Sequence, residues 1–154
     1  MRSFAFIFLF LWACPVWGTE IFIPPTRAEA DGTVVVSVMI DQVDNLAGIE
    51  LVIRYDPGML QYRKAAKTRQ TKSLIHVVNA KKPGQLKLVM AGAKGIKGAD
   101  FAVARIEFAA TPQATAQTTV VAIEAVQLMN DQLKGIDCQV KNGSVVIAAA
   151  PLRP

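Results

Sequence analysis

From Ile49 to Tyr55 apolar side chains recur at every second position, as Ile49, Leu51, Ile53 and Tyr55, with Gly48, Glu50, Val52 and Arg54 on the alternate positions. A period of two belongs to a strand, whose successive side chains point to opposite faces. The run then meets Asp56-Pro57-Gly58. Asp56 can accept from the backbone beyond it, Pro57 fixes its own φ and Gly58 relaxes it, so the strand must stop in a turn. One face of such a strand has to be covered by a second layer. The other is free to carry Glu50, Val52 and Arg54.

The rest of the chain repeats this logic. Glu20–Ile23, Thr33–Ile40, Leu60–Arg63, Leu74–Asn79, Gln85–Ala91, Phe101–Ala110, Thr118–Met129 and Ser144–Ile147 are short apolar or β-branched runs. Turn signals separate them at Ala30-Asp31-Gly32, Lys81-Lys82-Pro83-Gly84 and Asn142-Gly143. In Phe101–Ala110 the apolar positions change parity halfway, which predicts a bulge or a strand buried on both faces. Only Arg63–Ser73 reads as a turn or two of helix. No Gly-rich nucleotide loop and no strand–helix alternation is present. About nine short strands with turns every 8–12 residues predict an all-β, antiparallel sandwich or barrel.

The first 18 residues stand apart. Arg2 precedes the apolar run Phe4–Trp12, which is too short to span a bilayer at about 20 helical residues and suits the h-region of a secretory signal. Cleavage after Val16-Trp17-Gly18 would start the mature chain at Thr19. Leu11-Trp12-Ala13-Cys14 is the competing reading, a lipobox-like string that would put a lipid anchor on Cys14. Either outcome predicts an exported protein, with residues 1–18 as the signal, 19–148 as one domain and 149–154 as a flexible tail. The chain has two cysteines, Cys14 and Cys138. Cys138 is therefore expected to have no intrachain partner and to serve as a small, partly buried apolar side chain.

The small lead, alternating strand and Tyr-Asp-Pro-x-x-Leu end of Leu46–Leu60 resemble the cohesin domain, the module that receives dockerins in cellulosome-type assemblies. Asp100–Phe108, Val126–Leu133 and Asn142–Ile147 resemble later strands of the same family, in the same order. The resemblance implies a nine-stranded antiparallel jelly-roll β-sandwich related to carbohydrate-binding modules. It also implies that a partner docks on the sheet face built by strands such as 46–55, 74–79, 85–91 and 118–129. Carried onto this chain, the outward side of those strands includes Glu50, Val52, Lys87, Val89 and Glu124. Gly48 departs from the family, which often places a polar contact residue there, whereas Glu50 keeps an acidic one. The implied partner is a dockerin-bearing or other extracellular protein, linked to polysaccharide degradation. A carbohydrate-binding module of the same fold, or a component of a cell-envelope assembly, is the alternative.

Charge is unevenly placed. Ten of the basic residues, and none of the twelve acids, lie between Pro57 and Ala99. Such a surface draws acidic partners. Nucleic acid is not expected, because an exported chain without interleaved aromatics offers no stacking platform for bases. Membrane contact is expected only through an anchor at Cys14. Direct polysaccharide binding would rest on Tyr62, the one ring expected at the surface, since Tyr55 faces inward. His76, the single histidine, lies in an apolar strand and reads as structural. No nucleophile–base arrangement and no paired carboxylates suggest catalysis. One histidine and one cysteine make no zinc site, and although Asn130, Asp131 and Asp137 could touch calcium, no Asp-x-Asx-x-Asx-Gly loop frames them. No enzyme activity and no cofactor are expected.

Overall fold

The computed structural model describes residues 18–30, 32–113 and 115–150. The expected signal segment with Cys14, apart from Gly18, lies outside the described residues, as do Asp31 and positions 151–154 of the expected tail. Ten strands follow in order: β1 (Thr19–Phe22), β2 (Thr26–Ala28), β3 (Thr33–Arg54), β4 (Leu60–Lys67), β5 (Ile75–Asn79), β6 (Gln85–Ala110), β7 (Gln117–Met129), β8 (Gly135–Ile136), β9 (Cys138–Lys141) and β10 (Gly143–Ile147). Among the described residues there is no helix.

The expected runs 33–40 and 46–55 are one strand, β3, and 85–91 and 101–110 are one strand, β6. The two pair antiparallel along their whole length, from Thr33↔Ala109 to Arg54↔Gln85. Register shifts between Val38 and Met39, Val43 and Leu46, and Leu46 and Gly48 bend the ribbon in its middle. Its two halves thereby enter two opposed layers. In the first, β5, the start of β6, the end of β3, the end of β7 and β8 lie side by side. In the second, β4, the end of β6, the start of β3, β1 and β9 do. β10 and β2 extend the start of β7. The result is a β-sandwich.

Alternation fills the space between the layers. Ile49, Leu51, Ile53, Leu86, Leu88 and Met90 come from one layer, and Val34, Val36, Val38, Ile40, Ile106 and Phe108 from the other, all essentially without solvent contact. Tyr55 closes one end, its ring 4.9 Å from that of Phe108. The parity change in Phe101–Ala110 is a bulge. Val38 pairs with Ala104 and Met39 with Ala102, leaving Val103 as the extra residue, so Val103 and Ala104 are both buried. The β5–β6 connection is the expected hairpin, with Gly84 at φ 79° and its carbonyl accepting from Tyr55 N–H at 3.1 Å.

Two local expectations change. The helical turn expected within Arg63–Ser73 is strand to Lys67 and then a turn pinned by threonines. Thr68 Oγ1 donates to Ala102 O (2.7 Å) and Thr71 Oγ1 to Val103 O (2.9 Å). These hydroxyls satisfy carbonyls of β6 just past the last β4 pairing at Lys67↔Ala104, a reach that a helix would withdraw. The turn expected at Asn142-Gly143 is instead a break between strands, Gly143 already belonging to β10, where β9 pairs with β1 while β10 pairs with β7 and β2. The chain crosses between layers there, and Asn142 Oδ1 accepts from Ile123 N–H at 2.9 Å. Beyond β10, Ala148 N–H donates to Ala28 O and Ala150 N–H to Gln113 O, both at 2.9 Å.

Gly143 is required by close approach. A Cβ there would lie 2.3 Å from Ile23 Cγ2 and 2.6 Å from Ile23 O. Gly143→Ala is expected to lower unfolding free energy by about 1–3 kcal/mol, the usual cost of overpacking, read as an earlier urea midpoint at unchanged slope.

Candidate docking face

The outward side of β5–β6–β3–β7 is a grid whose rows follow from the pairing register. Ile75, Ala91, Gly48 and Met129 form one row; Val77, Val89, Glu50 and Gln127 the next; Asn79, Lys87, Val52 and Ala125 the third. Below them Gln85, Arg54 and Ala122 form a fourth row without β5. The side chains between these positions point into the core, so the face is a byproduct of the same alternation that packs the sandwich.

Glu50, Val52, Lys87 and Val89 therefore lie together on the two central strands, all outward. Lys87 is exposed, and Glu50, Val52 and Val89 are half-buried by their neighbours. Glu124 reaches the face differently. Val52 pairs with Ala125 and Ile53 with Ile123, so Glu124 is the extra residue of a bulge. That places its carboxylate beside Arg54.

The apolar content of the face lies chiefly in residues that alternation did not single out. Ile75 and Val77, on the edge strand β5, are 75% and 63% exposed. In the string Leu-Ile-His-Val-Val-Asn apolar residues occupy both parities, so sequence alone could not say which face they take. Cross-strand neighbours have Cβ atoms about 4.5–5.5 Å apart. Val77 opposite Val89 thus makes one apolar strip, with Ile75 above it. Gly48 is buried under Met129, whose Cε would sit 3.1 Å from a Cβ at that position. Leu133 follows in the turn after β7, 82% exposed and at φ 61°. That turn is held by Asn130 Oδ1, which accepts from the N–H groups of Gln132 and Lys134, and by Asn45 Nδ2 donating to Asp131 Oδ1 at 2.8 Å. Asn130 and Asp131 are thus occupied in building a corner. Among the described residues no group of three or more His, Cys, Asp or Glu could hold a metal ion.

Ion pairs rim the strip. Lys87 Nζ lies 2.6 Å from Glu50 Oε1, and Arg54 Nε 2.8 Å from Glu124 Oε2. Gln85 Nε2 adds a bond to the same Glu124 oxygen at 3.3 Å. The Arg54 hydrogen bond is the main cause that holds the Glu124 carboxyl below its ordinary range, and Glu124 in turn raises Arg54. The basic window is partly neutralised by acids from outside it: Lys64, Lys87 and Lys97 pair with Glu107, Glu50 and Asp44.

Tyr62 does not form an exposed platform. Its ring packs edge-on against Phe108 at 6.4 Å, and burial raises its hydroxyl pKa. Tyr62 pairs with Phe108 across β4 and β6, so its ring completes the aromatic cluster around Phe108 and is not left as a flat surface for a sugar. Cys138 is half-buried with a free thiol, pushed up first by burial and then by Asp137. His76 sits between the two exposed β5 residues but on the opposite parity.

Three comparisons bear on this geometry. The family model for the cohesin domain matches residues 19–147. No curated protein sequence matches. Among solved structures, a non-cellulosomal cohesin from the archaeon Archaeoglobus fulgidus is similar at TM-score 0.77 and 18% identity, covering 86% of this chain and 92% of that one. The sixth cohesin of Acetivibrio cellulolyticus scaffoldin B, in complex with a Cel5 dockerin, gives TM-score 0.76 at 18% identity, with 86% and 99% covered. A type I cohesin–dockerin complex from Clostridium thermocellum, containing the OlpC cohesin, gives 0.77 at 17%, with 86% and 95% covered.

The Arg54–Glu124 pair carries a pH signature. A carboxyl with a depressed pKa contributes stability that is present above the ordinary glutamate range and is lost as pH falls through its folded value. Carboxyl-carbon NMR titration is expected to place Glu124 below free glutamate and to return it to the ordinary range in Arg54→Gln. High salt should shrink the shift, because the pair is open to solvent.

Proposed function

The chain belongs to the cohesin domain family, and from that we propose that it is a non-catalytic docking module whose β5–β6–β3–β7 face receives a dockerin-type protein. The observation that carries this reading is the apolar strip on the outward side of the sheet, with Ile75 and Val77 exposed and Val89 half-buried beside them, flanked by the Lys87–Glu50 and Arg54–Glu124 pairs. Solvated sheet faces ordinarily carry polar side chains. An apolar centre with a charged rim is the anatomy of a protein interface. The centre supplies affinity by excluding water, and the rim sets orientation and association rate. Two of the similar solved cohesins are complexes with dockerins, which supports a partner of that kind here.

Export, by cleavage after Gly18 or lipidation at Cys14, and a partner attached to a polysaccharide-degrading enzyme complete the reading. Both rest on the sequence and on the family resemblance. A carbohydrate-binding role on the same fold has lost its expected residue, since Tyr62 is packed against Phe108.

Purified dockerins should be titrated against the immobilised protein in calcium and again with chelator. Saturable binding that chelator abolishes is expected, because dockerin loops fold around the ion. Lys87→Glu combined with Val89→Asp, and separately Val77→Asp, should each weaken capture by about 100-fold or more, equivalent to about 2.7 kcal/mol. These are surface positions, so the thermal midpoint should hold. Unchanged capture in both variants would remove this face from the model.

A further inference from the structure

The layer on the far side of the core carries a site of different chemistry. There Ser37 lies opposite Arg105 and Met39 opposite Ala102, on the outward parity of β3 and β6. The Thr68–Gln70 turn closes over them, fixed by the Thr68 and Thr71 hydroxyls on the carbonyls of Ala102 and Val103. Between turn and sheet is a cleft of about 410 Å³ lined by Ser37, Thr68, Arg69, Gln70, Asp100 and Arg105, among others. Its size is that of a small-molecule site, about 300–1,000 Å³. Such sites are mostly apolar, whereas this lining is dominated by polar and charged groups.

Three charges in it are unused. Arg54, Lys64, Lys87 and Lys97 each hold a carboxylate, but among the described residues Arg69, Arg105 and Asp100 form no salt bridge. A guanidinium presents a planar fork that matches a carboxylate in two-point fashion. Asp100 is held at φ 50°, a left-handed conformation uncommon outside glycine. Strain of this kind collects at binding sites. The cleft thus offers two guanidinium forks, one carboxylate acceptor, and hydroxyl and amide groups, on a turn positioned in advance.

We propose that this cleft binds a hexuronate, a sugar that carries a carboxylate. Arg69 and Arg105 receive the carboxylate, and Asp100, Gln70 and Ser37 bond the ring hydroxyls. A bare inorganic anion would be repelled by Asp100, and a neutral sugar would leave both guanidinium groups without a partner. Recognition is by charge and hydrogen bonding, so it does not need an exposed aromatic platform. The core separates this cleft from the docking face, and the two sites are independent.

The test is NMR titration of the full protein with trigalacturonate, a neutral trisaccharide, monomeric galacturonate and inorganic sulfate. Trigalacturonate is expected to give saturable shifts at Arg69, Gln70 and Arg105, and the neutral sugar none. Arg69→Gln and Arg105→Gln should each weaken binding by about tenfold or more at an unchanged thermal midpoint, since each removes one forked pair. Asp100→Asn should weaken it as well. A monomer that binds as well as the trimer assigns a free sugar acid as the ligand, and a preference for the trimer assigns a polysaccharide chain. Three results would overturn the proposal: no saturable binding, insensitivity to both arginine variants, or sulfate binding as tight as trigalacturonate in the unaltered protein. Dockerin capture is read separately, so failure at one face leaves the other standing.

Discussion

The antiparallel pairing of β3 with β6 is the constraint from which the rest of the domain follows. Both layers contain half of this ribbon, so the bend in its middle decides how they face each other. Because side-chain direction has a period of two, a slip of one residue in the half that joins the end of β3 to the start of β6 would turn Leu51 and Ile53, or Leu86 and Leu88, to the surface and Glu50 or Lys87 into the core. Burial of those apolar side chains, each worth about 1.5–3 kcal/mol, holds the register. The register then composes the outward rows. The candidate docking face and the core are two readings of one alternation, and neither can drift without the other.

That coupling explains why much of the site was legible in the sequence. The parity of Ile49, Leu51, Ile53 and Tyr55 put Glu50 and Val52 outward, and the parity of Leu86, Leu88 and Met90 did the same for Lys87 and Val89. Glu124 was also placed on the face, although a bulge rather than strict alternation brings it there. Ile75 and Val77 were not legible. Their strand is apolar on both parities, and only pairing with Ala91 and Val89 assigns them a side. The continuity of β3 and β6 was hidden for another reason. Residues 41–45 and 92–100 are rich in Asp, Asn, Gly and Lys, the composition of loops. Hydrogen bonding to each other across the bend keeps them extended. The helix expected near Arg63–Ser73 failed because Thr68 and Thr71 satisfy carbonyls on another strand, a long-range use of hydroxyls that local pattern cannot report.

The charge pattern is similarly resolved by three-dimensional pairing. A window of basic residues without a single acid reads as one polycationic surface. In the fold Lys64, Lys87 and Lys97 are matched by Glu107, Glu50 and Asp44, drawn from strands outside the window. These are exposed pairs, screened by solvent, so they do little for stability. They instead remove three cations from the long-range field and leave the other seven of the window, Arg63, Lys67, Arg69, Lys72, Lys81, Lys82 and Lys94, without a salt bridge among the described residues.

Size sets a limit on what the flat face can do alone. Four strands each about 4.8 Å wide and three rows each about 6.7 Å deep make a patch of roughly 400 Å². A standard interface takes about 800 Å² from each partner. The sheet can therefore supply the desolvated centre of an interface but not its extent. The remainder has to come from the ends of the strands, where the chain presents Leu133 in its strained corner beyond Met129 and the Lys81-Lys82 hairpin beyond Asn79. The two ends differ in character, one carrying the exposed Leu133 with Asp131 and Lys134 in the same turn, the other doubly basic. Under the proposed docking role, a partner that spans all four strands meets these different ends along the strand direction, and the turns add to the orienting effect of the charged rim.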